Sequence, residues 1–286
     1  MSVKHDPPAT PEAAPIAVVL AAGKGTRMGS DLPKVAFEAA GRPLVRWVLD
    51  ALDAAGVRDR IVVVGYRAEV VEAALAGIPG VSFVLQREQR GTGDAVAAAA
   101  AAIEDRIRDD PPGTRRPVVI VCGDSPMLRP QSVHGLLAEF RRRAAACLLG
   151  TAVTADPAGL GRIVRDAAGR FARIVEEKDA TPEQKAIREV NMSTYVFEAR
   201  DLLRSLARLD NANAAGEYYL TDCPALLLAE GGTVDATPCL DPSETLSVNT
   251  PEQLAAVGAA LSSRVTSPPW PRHAPSAGGE AEVRPD

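Results

Sequence analysis

Apolar positions in this chain fall into short unbroken runs separated by stretches with helical spacing. Ile16–Ala21, Ile61–Val64, Ser82–Leu85 and Pro117–Val121 have strand length and little alternation, the pattern of strands buried on both faces of a parallel sheet. Between them, Pro43–Ala55, Ala68–Leu75 and the Ala-rich Ala95–Ile107 carry helical periodicity. This order predicts an α/β fold, a Rossmann-like, doubly wound and mostly parallel sheet with helices on both faces. The second half changes texture. Arg162–Arg165 and Phe171–Glu176 flank a turn sequence from Asp166 to Arg170 and read as a hairpin, and Val190–Phe197 reads as a further strand. Helices are expected near Ala199–Leu206, over Tyr219–Glu230 and after Asn249, where Thr250 suits the N-cap, Pro251 the first turn and Gln253 a capping box. A smaller mixed-sheet lobe is therefore expected beside the main sheet. Residues 1–14 and 263–286 are rich in Pro, Ala and charge and are expected to be disordered tails around one folded unit, 15–262.

Composition narrows the chemistry. The net charge of −5 offers no basic field for nucleic acid or anionic lipid. No apolar run approaches the ~20 residues a membrane span needs, and the N-terminus has no apolar signal core, so no membrane partner is expected. Cys122, Cys147, Cys223 and Cys239 show no C-x-x-C spacing and fit a reducing cytoplasm. Of the 3 histidines, His5 and His273 lie in the tails and His134 in a helical stretch, which leaves little for a Ser-His-Asp triad or a zinc site. Nearly every basic residue is Arg; Lys24 and Lys34 are exceptions that fall in one loop.

That loop follows the first strand, from Leu20 through Ala21, Ala22, Gly23 and Gly25 to Lys34. Its small residues let backbone N–H groups approach a phosphate, and Arg27 and Lys34 supply charge for neutralising phosphates, with Lys24 as an accessory. The spacing fits neither a P-loop nor G-x-G-x-x-G, because Gly29 comes one residue late. Asp124 follows a buried strand and Gly123, at the carboxyl edge where open α/β sheets bind ligands. A carboxylate there suits Mg²⁺, which takes one or two protein oxygens and completes its shell with phosphate and water. The same residues also permit plain loop, turn and capping roles.

L-A-A-G-K-G-T-R-M with Pro33-Lys34 beyond it resembles the signature of the sugar-phosphate nucleotidyltransferases. Leu85–Ala95, Cys122–Asp124, Gly159–Val164, Ile174–Thr181, Gly216–Asp222 and Val248-Asn249 extend the likeness over residues 15–262, most closely to the uridylyltransferase domain of the bacterial GlmU enzymes, the N-acetylglucosamine-1-phosphate uridylyltransferases. The resemblance implies formation of UDP-N-acetylglucosamine, a cell-wall precursor, and pyrophosphate from UTP and N-acetylglucosamine 1-phosphate, with Mg²⁺ held by Asp124 and Asn249. It implies uridine contacts from Gln86, Gly91 and Thr92, a nucleotide contact from Gly123, and sugar contacts from Gly161, Glu176 and Asn191 in the smaller lobe. It places Arg27 by the departing phosphates and Lys34 by the α-phosphate or sugar phosphate. Tyr218 and Tyr219 are expected to shape the sugar pocket.

This chain departs from the family at Cys122, where a Tyr is usual, and at Asn191-Met192-Ser193, where Asn-Thr-Gly is usual. Those departures leave open another sugar 1-phosphate or nucleotide. A catalytically silent sugar-nucleotide-binding protein is the alternative from a different class. The bifunctional relatives also carry an acetyltransferase domain; no hexapeptide repeat for one occurs here, so a separate acetyltransferase is expected upstream.

Overall fold

The computed structural model describes residues 13–25, 28–246 and 248–266, with side chains to Arg264. Arg27 and most of both expected tails lie outside the described residues. β1 (Ile16–Ala21) leads through the glycine loop to a small hairpin, β2 (Glu38–Ala39) and β3 (Arg42–Pro43), and then to α1 (Leu44–Ala54). β4 (Asp59–Val64), α2 (Ala68–Ala74), β5 (Val81–Leu85), α3 (Thr92–Ala98), α4 (Ala100–Ile107) and β6 (Pro117–Cys122) complete the first half. The second half runs α5 (Pro130–Arg143), β7 (Cys147–Val153), β8 (Arg162–Arg165), β9 (Phe171–Val175), α6 (Pro182–Lys185), β10 (Glu189–Glu198), α7 (Ala199–Leu206), α8 (Cys223–Ala229), β11 (Val234–Thr237) and α9 (Pro251–Thr266).

The main sheet has the order β11-β7-β10-β6-β1-β4-β5. β1 pairs in parallel with both β4 and β6, β4 with β5, and β11 with β7; β10 alone runs the other way. Alternation along β1 explains the two layers of helices. Ile16 and Val18 pack with residues of α3, α4, α7 and α8, while Ala17 and Val19 pack with residues of α1, α2 and α5. Both faces are thereby buried, which is why the strand sequence shows no alternation.

The smaller lobe is not a separate sheet. β8 and β9 form the expected hairpin, and β8 joins the main sheet through Val190 of β10. A bulge between Asn191 and Thr194 bends β10, and Ser193 within it has φ +50°. β7 and β11 were not legible as strands. The expected helix Ala95–Ile107 begins earlier, at Thr92, and breaks at Ala99, whose N–H bonds back to Val96 O. α9 runs past the boundary expected at 262, and Arg264 donates to Met127 O at 2.9 Å. Thr250 accepts from Gln253 N–H as its cap, but the Gln253 side chain returns to the N–H of Asn249, one residue before the cap. Among the described residues no helix is long and apolar enough to cross a membrane.

Candidate active site

The carboxyl ends of β1 and β6 carry the site. Beyond the last paired residues, Gly123 N–H still donates to Leu20 O at 2.8 Å, so the Gly123–Asp124 turn leaves the sheet beside the glycine loop. A Cβ on Gly123 would sit 3.0 Å from Leu20 O and 3.2 Å from Val35 Cγ1, so a side chain there would press on both. Pro33 and Lys34 open a short 3₁₀ turn, Lys34–Ala36. Val35 drops into the core beneath the sheet while Lys34 lines the cavity above it. Gly25 makes room for the lysine stem: a Cβ there would lie 2.6 Å from Lys34 Cβ, and φ is +67°.

Three expected site residues meet at one point. The Lys34 ammonium lies 2.6 Å from Asp124 Oδ2 and donates to Asn249 Oδ1 at 2.8 Å. Asn249 arrives from the far end of the chain, anchored by the fully buried Val248 before it. A carboxylate and an amide oxygen thus converge on a single cationic group. The ammonium is a stand-in for a hard cation, and the donor set fits Mg²⁺ with phosphates completing the shell.

Around this point lie two adjoining cavities. One, of about 340 Å³, has among its lining Leu20, Gly23, Lys34, Gln86, Gly91, Thr92, Cys122, Asp124 and Glu217. A Cβ on Gly23 would meet nothing within 4 Å, so this glycine faces open space. Ala21, by contrast, packs in the core behind the loop. Gln86 is buried, and its amide donates to Asp94 Oδ2 at 2.7 Å and to Gly91 O at 3.3 Å, which fixes its orientation. Gly91 has a different reason to be glycine than a bound base. Its φ is +117°, and a Cβ there would run into Tyr218 O, where the Glu217–Tyr218 backbone crosses the start of α3. Thr92 does not cap its own helix; its hydroxyl accepts from Leu220 N–H at 3.1 Å. Lys24 lies with its ammonium over the Tyr66 ring, 5.1 Å from the centroid.

The second cavity, about 280 Å³, shares Leu20, Thr92, Cys122 and Glu217 with the first and adds Glu176, Ser193, Tyr195, Tyr219 and Thr221. Burial, opposed by a hydrogen bond from Thr221 and reinforced by Asp179, Asp222 and Glu217, raises the Glu176 carboxyl above its ordinary range. Burial likewise pushes the Cys122 thiol up to about 12, so it stands in the wall as a neutral group beside Ser193. Asn191 and Gly161 support this wall from behind. Asn191 donates to the Tyr195 hydroxyl at 2.6 Å and accepts from Ser193 N–H at 3.1 Å, holding the bulge. Gly161 O accepts from Asn191 N–H at 2.8 Å, and a Cβ on Gly161 would lie 3.5 Å from Glu176 Oε2. Tyr219 lines the cavity, whereas the Tyr218 ring lies under the Arg90 guanidinium. Glu217, Ser193, Tyr195 and Asp94 were not assigned from sequence; Glu217 and Asp94 sit inside the motif runs and could have been weighed as polar lining.

A model of the MobA-like NTP transferase domain matches residues 17–219, from β1 to the wall of the second cavity. The chain belongs to the MobA-like NTP transferase family. The bifunctional protein GlmU of Geobacter metallireducens is 45% identical over 242 residues, covering 85% of this chain and 49% of that protein. GlmU of Methylococcus capsulatus is 45% identical over 240 residues, covering 84% of this chain and 50% of that protein. The chain therefore spans about half the length of these relatives. These matches agree with the resemblance read from the motifs. Solved nucleotidyltransferases share the fold at low identity. A UDP-glucose pyrophosphorylase complexed with UDP-glucose superposes with a TM-score of 0.67 at 15% identity, covering 88% of this chain and 100% of that one. A putative glucose-1-phosphate thymidylyltransferase from Bacillus anthracis gives 0.66 at 16% identity, covering 86% and 95%.

Proposed function

We propose that the protein joins UTP and N-acetylglucosamine 1-phosphate into UDP-N-acetylglucosamine, releasing pyrophosphate. The meeting of Lys34, Asp124 and Asn249 at the wall of the first of two adjoining cavities carries this reading. The identity with GlmU proteins supports it. An oxygen of the sugar phosphate attacks the α-phosphorus of UTP, and the bond to the bridging oxygen of the β-phosphate breaks. Both reactants are anions, so the enzyme's task is to position them and neutralise charge.

The cavity at the glycine loop would take the nucleotide, with Gly23 giving its phosphates room and the fixed Gln86 amide meeting the base. The second cavity would take the sugar against Glu176, Ser193 and Tyr219. Lys34, in the wall of the first cavity, would turn from Asp124 to neutralise the phosphates. Arg27, by its place after Gly25 in the sequence, would serve the departing phosphates. Asp124 and Asn249 would hold Mg²⁺, which when bound supplies positive charge to the phosphate oxygens. The sugar substrate would be supplied by acetyl transfer to glucosamine 1-phosphate, in the cytoplasm, a setting that free thiols at Cys122, Cys147, Cys223 and Cys239 accord with.

Pyrophosphate release measured across a matrix of nucleoside triphosphates and sugar 1-phosphates tests the assignment. The expected maximum is UTP with N-acetylglucosamine 1-phosphate. A maximum at another pair, which would place the Cys122 and Ser193 wall in charge of a different sugar, would overturn the substrate assignment. Binding of both substrates without turnover would overturn the enzyme reading.

A further inference from the structure

We propose that Glu244 is a positioning residue, a carboxylate clamp that holds the segment carrying Asn249 against the loop carrying Asp124. The proposal rests on the reading of Asp124 and Asn249 as one cation-binding pair. Each residue has a local anchor, Asp124 through the Gly123 N–H bond to Leu20 O and Asn249 through the buried Val248, but neither lies within a strand. Asp124 lies on the loop from β6 to α5, and Asn249 lies on the segment from β11 to α9. These anchors hold each segment singly, and a contact between the two segments would set their spacing.

Glu244 joins these two segments. It is 6% exposed, and its carboxylate accepts from Arg129 N–H at 2.9 Å, from the Ser132 hydroxyl at 2.5 Å and from Asp241 N–H at 2.8 Å. α5 begins at Pro130, and Arg129 gives it no side-chain cap of its own. The cap comes instead from Glu244, 115 residues away in sequence. Arg129 binds back, with its guanidinium 2.7 Å from Asp241 Oδ2 and donating to Ser243 Oγ at 2.9 Å. Arg264 braces the same joint through Met127 O. Asp124 is five residues before Arg129, and Asn249 is five residues after Glu244. The clamp and the Lys34 contact therefore close the same pair of segments from opposite ends.

A buried carboxylate is costly to desolvate, and an apolar side chain would fill the space without that cost. The carboxylate, however, accepts from three donors on two segments, which an apolar group cannot do. Nor can an amide replace it fully. Glu244→Gln must turn an NH₂ toward one of the two backbone N–H donors, so the joint loosens while its volume is kept.

The test compares the full chain with Glu244→Gln, Ser132→Ala and Asp124→Asn. Hydrogen exchange of the metal-free proteins reads the joint directly. Exchange at 246–250 should quicken about tenfold in Glu244→Gln and about threefold in Ser132→Ala, with β1 and β6 unchanged. Mn²⁺ binding, followed by electron paramagnetic resonance with a non-hydrolysable UTP analogue, should weaken about tenfold in Glu244→Gln, while KM for the sugar phosphate holds. Should Glu244→Gln fail to fold, Ser132→Ala gives the same comparisons on a smaller scale. Parental exchange at 246–250 in the folded variants, or faster exchange everywhere alike, would overturn the clamp. If Asp124→Asn loses Mn²⁺ and the clamp variants do not, the metal reading stands and the positioning role falls. If the parent and Asp124→Asn bind Mn²⁺ alike, the metal reading has failed and the positioning role falls with it.

Discussion

Lys34 and Asp124 form an ion pair in the wall of the cavity at the glycine loop, with Nζ 2.6 Å from Oδ2, and the same ammonium holds Asn249. The lysine thus engages the two oxygens that would hold Mg²⁺. On the proposed function, a metal ion and this ammonium would compete for one place until phosphates drew the lysine away. Lys34→Met should therefore do two opposite things. Mn²⁺ affinity without nucleotide should rise about tenfold, because a competing cation is gone. Turnover with both substrates should fall by about 10²–10³, as expected when one preorganised charge is lost. Titration of Mn²⁺ beside steady-state kinetics reads both; equal or weaker Mn²⁺ binding in the variant would show that the ammonium does not guard the metal's place.

Gly23 and Gly91 line the same cavity for different reasons, and alanine separates them. Gly91→Ala should destabilise the fold by about 3 kcal/mol or more, because φ +117° with ψ 175° suits only glycine and the Cβ meets the Tyr218 backbone. Gly23→Ala should leave the denaturation midpoint nearly unchanged, since its Cβ meets nothing within 4 Å. The added methyl would enter the proposed nucleotide space and should raise KM for UTP about tenfold. Denaturation curves and KM values for the two variants should show opposite profiles.

Glu176 carries a pH signature. Burial raises its carboxyl, so the folded state favours the protonated form. The stabilisation is complete below the ordinary carboxyl range, near ~4.3, and is lost as pH rises through the raised folded value. Glu176→Gln, neutral throughout, should therefore gain stability over the parent at pH 7 and lose that gain at pH 4. Its KM for the sugar phosphate should rise about tenfold through the lost charged acceptor. Urea denaturation at the two pH values checks the sign. A stability difference that does not change with pH would remove the buried carboxylate as its cause.

Much of this arrangement was legible in the sequence, for local reasons. β1 matches its apolar run because both faces are buried, and the run ends where the glycine loop begins. Lys34 stood out as a rare lysine after Pro33 in the glycine loop, Asp124 as a carboxylate after Gly123 at the end of a buried strand, and Asn249 through the family resemblance. What escaped notice depends on distant partners. Cys147–Val153 is an apolar run that periodicity alone does not assign to a strand. Gly91 and Thr92 face the Glu217–Leu220 segment, which lies more than a hundred residues away and which nothing in the local motif names. Asn191 supports Ser193 and Tyr195 instead of lining the cavity, because the bulge in β10 turns its amide inward. Glu244 reads locally as the partner of Asp241 in a capping box, and only the approach of α5 adds Arg129 and Ser132 to its donors.

The central claim is tested most directly by following ³¹P signals in a mixture of UTP, N-acetylglucosamine 1-phosphate and Mg²⁺ with the parent and with Asp124→Ala. The account predicts that the parent gives UDP-N-acetylglucosamine and pyrophosphate in equal amounts, that chelation stops it, and that Asp124→Ala gives neither product while remaining folded. Product formed by folded Asp124→Ala at the parental rate, or none formed by the parent, would contradict it.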